Sequence, residues 1–396
     1  MASAALRPQA ARSLRMVALF AMAAAALSGC VPRSRPVRPP SKQEEVQQEV
    51  RPTQTSRLPA DETRNRVAVL VPLTGRDAAL GHSILNAANL ALLDTGGERI
   101  RITAYDTAAG AVPAVNEALA EGSGLILGPL LAEDVRAIAP VARGANVPVV
   151  AFSNDVSVAG DGVYLMGFTP VQSIRRVVAY ARAQGASRFG ALVPANVYGE
   201  RSARAMTEAV EGAGGRLVGI QTFDAGTATG ARAAATRLAG QGALDAVLIA
   251  DLPRVAGLAA PVLRLASPQP RLLATERWAT ESSIGANVQL RGTWFAAPSD
   301  ANFGNFRARY RARYNAAPFR LASLGYDSVL LVVGIAVDWP IGRPFPARAL
   351  RNPGGFSGVD GAFRFGRDGI AERALEVREV NAAGTTIVSP APRGFN

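Results

Sequence analysis

From Arg66 onward the chain alternates short apolar runs with amphipathic stretches. Val67-Ala68-Val69-Leu70-Val71 is a continuous apolar run ended by Pro72 and Gly75, the pattern of a strand buried on both faces. The spacing predicts a helix from about Ser83 to Asp94, a strand over Ile100 to Tyr105 and a helix over Val112 to Glu121. Leu125-Ile126-Leu127 reads as a strand ending at Gly128-Pro129. Glu133 to Arg143 reads as a helix with its acids near the start, and Val147 to Phe152 as a further strand. Strands alternating with helices imply a parallel sheet with right-handed crossovers.

The alternation then restarts. Val171, Ile174, Val177, Val178 and Ala181 share one helical face. Strand-like runs follow at Phe189 to Val193, Leu217 to Phe223 and Ala246 to Ala250, with helical segments around Arg201 to Glu211 and Ala231 to Leu238. A second helix-covered parallel sheet is the simplest account. After Trp294 come a Phe/Tyr-rich helix, a long apolar helix from about Ser323 to Val337, and strand-like Ala362 to Phe365 and Leu375 to Val380. Roughly 330 residues of this kind exceed one typical core and imply two lobes. Phe303, Phe306, Tyr310 and Tyr314 have helical spacing, interleaved with Arg307, Arg309, Arg311 and Arg313. They read as a core stripe beside a solvated basic face rather than a membrane or polyanion site.

Ahead of this body the pattern differs. Arg7, Arg12 and Arg15 precede the apolar stretch Met16 to Leu27, followed by Leu27-Ser28-Gly29-Cys30. That is the order of a secretory signal, and the stretch is shorter than the roughly 20 apolar residues of a membrane span. The last four residues resemble the lipobox of bacterial lipoproteins, whose signal peptide, here 1–29, is cut before a cysteine that then carries lipid. Cys30 is the only cysteine, so no other thiol competes. The resemblance implies a lipid anchor on the periplasmic face, and Val31 rather than an aspartate at the next position implies the outer membrane. Residues 30–65, rich in proline, glutamine and charge and without aromatics, read as the lipidated cysteine and a disordered tether.

Scarcity narrows the chemistry. The chain has one histidine, His82, and one lysine, Lys42. A serine-histidine-acid triad would have to be built on His82, and a serine-lysine dyad on a lysine in the tether. A histidine zinc site and a phosphate loop lack their residues. No metal, cofactor or catalytic residue is expected, and the chain reads as a non-enzyme. Net charge is +12, but the basic residues are almost all arginines scattered among acids, so no nucleic-acid partner is expected.

Val69-Leu70-Val71-Pro72-Leu73-Thr74-Gly75 followed by Gly81 resembles the opening of the type I periplasmic-binding fold. So do Gly128-Pro129 after the third strand, Val197-Tyr198-Gly199-Glu200, Gly325-Tyr326-Asp327 and Phe356-Ser357-Gly358-Val359-Asp360-Gly361. The resemblance spans about Arg66 to Val388. It implies a two-lobed α/β fold, each lobe a parallel sheet covered by helices, joined by three hinge crossovers near Phe168 to Pro170, Ala296 to Pro298 and Phe356. Lobe one would comprise 66–170 and 299–355, and lobe two 171–298 and 356–396.

Within that superfamily the chain looks most like the penicillin-binding-protein activator lipoproteins. The carrying residues are Tyr105-Asp106-Thr107, Gly128-Pro129-Leu130-Leu131, Phe152-Ser153-Asn154-Asp155, Thr169-Pro170 and Gln172. That resemblance implies a partner, a peptidoglycan synthase, and regulation of cell-wall synthesis. The best-known members carry an added N-terminal helical-repeat domain where this chain has a short tether. The competing resemblance is to a solute receptor of an ABC importer, with a permease as partner. In amino-acid receptors the positions of Tyr198 and Glu276 contact the ligand and its ammonium. Ala132 stands where a carboxylate-binding serine is expected, and Asp155 near an expected threonine, where its charge would repel a ligand carboxylate.

Candidate residues for a small-molecule cleft are those at the carboxyl ends of strands, where open α/β sheets bind ligands. These are Thr74, Gly75, Gly128, Pro129, Ser153, Asn154, Tyr198, Asp251 and Glu276. Turn and cap chemistry offers an alternative account of Thr74, Gly75, Ser153, Asn154 and Asp251. His82 reads as a surface or turn residue.

Overall fold

A computed structural model describes residues 61–396 apart from 62, 226, 267, 268, 282 and 396. In chain order, the first lobe opens with β1 (Asn65–Val71), α1 (Ala78–Thr95), β2 (Ile100–Asp106), α2 (Ala111–Ala120), β3 (Ser123–Leu127), α3 (Ala132–Gly144), β4 (Val149–Ala151) and β5 (Val163–Leu165). The second contains α4 (Pro170–Ala183), β6 (Arg188–Pro194), α5 (Val197–Gly212), β7 (Arg216–Phe223), α6 (Ala228–Ala239), β8 (Ala246–Ile249), α7 (Pro253–Arg264), β9 (Arg271–Ala274) and β10 (Trp294–Ala297). The chain returns to the first lobe through α8 (Ala301–Tyr314), α9 (Ala322–Ala336), β11 (Phe356–Gly358), β12 (Gly361–Phe365) and β13 (Ala371–Arg373). It ends in the second with β14 (Glu376–Asn381) and β15 (Gly384–Ser389).

The first sheet is parallel throughout, in the order β2-β1-β3-β4-β5. Its interior strand β1, flanked by β2 and β3, is buried along its whole length, which is why its apolar run does not alternate. The second sheet has the order β15-β14-β10-β9-β8-β6-β7. It is mixed rather than wholly parallel. β14 runs antiparallel to β10, and β15 antiparallel to β14, because only Ala382 and Ala383 separate the last two strands. A connection that short can only make a hairpin.

The two lobes share one local device. A proline stands at the end of each lobe's first strand, Pro72 just after β1 and Pro194 as the last residue of β6, and the helix that follows lays a glycine, Gly81 or Gly199, on that proline's carbonyl. A Cβ at either glycine would overlap the carbonyl oxygen. Helix α1 therefore begins at Ala78, before the expected Ser83, and the glycine that hides the helical pattern is what seats the helix. His82 lies within α1, exposed on its outer face.

The expected third crossover at Phe356 is corrected. Val359, Phe363, Phe365 and Ala371 pack in one core with Val67, Ile84, Leu125 and Val332. The three-stranded sheet β11-β12-β13 thus closes the first lobe, and the chain passes to the second between Arg373 and Glu376, where Leu375 joins the core beneath β6 and β10. The physical reason is apolar area: two fully or nearly buried phenylalanines on β12 complete the first core. The tether's expected end also moves. Asp61 caps the entry to β1, accepting from the Arg64 side chain at 2.9 Å, and Asn65 donates to the Trp339 carbonyl at 3.0 Å.

Candidate functional site

Between the lobes lies a cavity of about 250 Å³. The first lobe supplies Asn154, Phe168, Arg320 and Leu321, and the second Leu252, Glu276, Arg277 and Thr280. Glu276 follows β9, and Asn154 follows β4, so each comes from the carboxyl end of a sheet strand.

Glu276 is the centre of the second lobe's contribution. Ser173 on α4 donates to its Oε2 at 2.5 Å, and the Tyr198 hydroxyl on α5 lies 3.2 Å from its Oε1. Burial pushes the Glu276 carboxyl up, against the lowering effect of the Ser173 and Tyr198 hydroxyls. Burial, then the nearby Glu276 charge, push the Tyr198 hydroxyl up as well. Tyr198 can instead donate to Thr275 Oγ1 at 2.9 Å. Arg277 lays its guanidinium over the Tyr198 ring, 4.9 Å from the centroid, and reaches Asp251 at 3.4 Å. Asp251 is fixed in turn: its carbonyl accepts from Trp278 Nε1 at 2.7 Å, and its carboxylate accepts from the Leu252 amide at 2.7 Å. Tyr198 and Asp251 thus hold Glu276 and Arg277 in place rather than lining the cavity.

The other expected residues scatter. Thr74 donates to Asp106 at 2.6 Å, and the same carboxylate accepts from the Leu73 and Ala108 amides, which ties the β1 and β2 ends together. Burial opposes ionisation of Asp106, but the Thr74 hydroxyl and these amides outweigh it and lower its pKa. Gly75 is an exposed turn residue with φ +73°. Gly128 lies against the Leu70 carbonyl, and Pro129 accepts the Phe152 amide at 2.9 Å, so both shape backbone. Ser153 is buried and accepts from the Asp155 amide at 3.2 Å. Of the expected set, the cavity brings together Asn154 and Glu276. Cys30 lies outside the described residues.

Asp155 requires a correction. It is not a free charge facing a ligand. Arg136 of its own lobe lies 2.6 Å from one oxygen, and Arg201 of the second lobe 2.7 Å from the other. Burial works against its ionisation, but Ser157, which donates both hydroxyl and amide, and Arg201 outweigh it and hold the carboxyl down at about 2.

Sequence reasoning missed Arg320, Arg373, Arg378, Asp327 and Asp360, which gather where the chain crosses between lobes. Arg373 donates to the Met166 carbonyl at 2.7 Å, and its guanidinium lies 4.6 Å from the Phe168 ring centroid. Its backbone amide donates to Gln172 at 2.7 Å, and the Gln172 side chain donates to Ala371. Arg320 pairs with Asp360 and stacks on Phe303 at 4.0 Å. Arg378 pins the second crossover, pairing with Asp300 at 2.6 Å and donating to Pro298 at 2.8 Å. Asp327 accepts the Val359 amide at 2.7 Å; burial, reinforced by the Asp360 charge, pushes its carboxyl up. The only advance signal was the pair of Asp-containing motifs at Gly325-Tyr326-Asp327 and Val359-Asp360.

A family model described as periplasmic binding protein matches residues 65–385, nearly the whole described body. The chain belongs to the periplasmic binding protein family. Its two lobes, parallel first sheet and mixed second sheet are the type I form of that fold. A protein from Rhodospirillum rubrum assigned to branched-chain amino acid ABC transport superposes with a TM-score of 0.73 at 19% identity, over 82% of this chain and 100% of that one. The C-domain of LpoA from Haemophilus influenzae, a regulator of PBP1A, superposes with a TM-score of 0.66 at 18% identity, over 82% of this chain and 100% of that domain. An uncharacterized protein, RP748 of Rickettsia prowazekii, is 25% identical over 142 residues, which is 35% of this chain and 38% of that protein. The two structural neighbours are transport-associated and regulatory proteins, and the family implies a periplasmic or envelope location. Among the described residues no helix is long and apolar enough to cross a membrane, and no group of three His, Cys, Asp or Glu side chains could hold a metal ion.

Proposed function

We propose that this is an outer-membrane lipoprotein, anchored through Cys30 after removal of residues 1–29, whose two-lobed body activates a peptidoglycan synthase. The observation that carries the reading is the cross-lobe tie from Asp155 to Arg201, 2.7 Å long and backed by Arg136. It places a committed carboxylate on the rim where an amino-acid receptor needs donors for its ligand's carboxylate. It also joins the lobes protein to protein, which suits a body that presents a fixed surface. The likeness to the regulatory C-domain of LpoA supports the same reading at the level of fold.

A second reading is favoured by one observation. Glu276 of one lobe and Arg320 of the other line the same 250 Å³ cavity, a charge arrangement suited to a small zwitterionic or anionic solute. Under that reading the protein serves an ABC permease. Two measurements separate the readings. Affinity capture of the full chain from its own envelope is expected to recover a synthase, and a thermal-shift screen of the standard amino acids is expected to be flat. Recovery of a permease together with a shift that is lost in Tyr198→Ala would reverse the choice. For the anchor, a fatty-acid probe is expected to label the wild type and not Cys30→Ala; equal labelling would remove the lipoprotein reading.

A further inference from the structure

A second, larger concavity of about 750 Å³ opens beside the cleft and shares Arg320, Leu321, Ala279 and Thr280 with it. One wall is the face of α8 that carries Phe303, Arg307 and Arg311 at successive turns, and the other is the loop with Pro318 and Phe319. Its arginines are not equivalent. Arg320 is paired with Asp360, and Arg309, on another face of α8, pairs with Asp94 and donates to Tyr326 at 2.6 Å. Arg307 and Arg311 are exposed, and among the described residues neither has a carboxylate within ion-pair distance. The one acid in the lining, Asp300, is committed to Arg378 at 2.6 Å. Phe319 keeps 50% of its surface exposed at the edge of the groove.

We infer that this groove binds an acidic protein segment with a large apolar side chain between its carboxylates. Arg307 and Arg311 stand one helical turn apart, with about 5–6 Å between their Cβ atoms, and planar guanidiniums favour carboxylates. The apolar half of the lining, Phe303, Pro318 and Phe319, needs an apolar group to cover it, which a phosphate polymer lacks. The surface is a concavity between a helix and a loop, which a flat lipid surface does not enter. The inference goes beyond the synthase reading, because a synthase or a permease can each carry such a segment.

The test uses the full chain purified in detergent and a fluorescein-labelled peptide, Gly-Glu-Glu-Trp-Glu-Glu-Gly, read by anisotropy. Peptides with Gln for Glu, or Ala for Trp, are the controls. The acidic peptide is expected to bind, more weakly as salt rises. The affinity is expected to fall at least about tenfold in Arg307→Glu/Arg311→Glu and several-fold in Phe319→Ala, with unchanged melting temperatures. If the charge reversal lowers the melting temperature, Arg307→Gln/Arg311→Gln is to show the same loss. Three results overturn the inference: no binding of the acidic peptide, equal binding of the Gln peptide, or equal binding by the double variant. Phosphatidylglycerol vesicles bound through these arginines while the peptide is ignored would likewise overturn it, in favour of a lipid surface.

Discussion

Arg201, on the first helix after β6 in the second lobe, lies 2.7 Å from Asp155, four residues beyond the end of β4 in the first. The carboxylate is nearly buried, and its other oxygen belongs to Arg136. The two lobes are therefore joined by charge as well as by the chain, beside the first covalent crossover, whose Pro170 lines the same depression as Asp155 and Arg201.

Replacing Asp155 with Ala should destabilise the body by about 1–3 kcal/mol at neutral pH, since two arginines lose a charged acceptor. The folded carboxyl is held at about 2, below its unfolded value near 3.9. Its contribution is therefore complete above about pH 4 and lost as pH falls toward 2. Denaturation of wild type and variant at pH 7 and pH 2.5 should show the gap shrink at acid pH. A gap that is constant with pH would mean that the ion pair adds nothing.

Glu276 has the opposite sign. Burial raises its folded pKa above the unfolded value of about 4.3. Its ionisation therefore costs stability as pH rises through the folded pKa. Glu276→Gln keeps the shape, and Ser173, which can donate to the Pro170 carbonyl at 3.1 Å, is free to accept from the new amide. The variant should melt higher than wild type at pH 8 and nearly level with it at pH 4. A lower melting point at pH 8 would show that the carboxylate is net stabilising where it stands.

Arg373→Met should cost about 3–5 kcal/mol, the usual loss when one partner of a buried ion group is removed. Asp327 and Asp360 would then face each other with Arg320 alone to balance them. Because protonation relieves that repulsion, the loss measured by urea denaturation should be smaller at pH 5 than at pH 8. The reverse order would contradict the assigned network.

Phe363→Ala, at a fully buried position, should cost about 3–5 kcal/mol. Because β12 completes the first lobe's core, hydrogen exchange should quicken in β1 and α9 more than in α5 and β8. Faster exchange confined to the second lobe would restore the crossover at Phe356.

Much of the fold was legible because burial on both faces leaves a plain mark. The runs at Val67 to Val71, Leu125 to Leu127 and Ala246 to Ala250 fall on β1, β3 and β8. Short or interrupted elements were not legible. The three-residue β5 is too brief to show a period, and α7 starts on Pro253 and carries Pro261 inside, which breaks the helical pattern. Among the site residues, Asn154 and Glu276 stand at strand ends, which topology alone makes candidates.

By itself, the sequence determined the α/β alternation, the restart that makes two lobes, and the poverty in histidine, lysine and cysteine. Those properties are local: they depend on periodicity and on residue types. The tertiary structure alone decided which lobe owns β11 to β13, where Asp155 spends its charge, and that Arg320, Asp327, Asp360 and Arg373 meet at the crossovers. Each depends on contacts between residues distant along the chain, and a charge's partner is fixed by where the fold brings the two side chains, which no local pattern encodes.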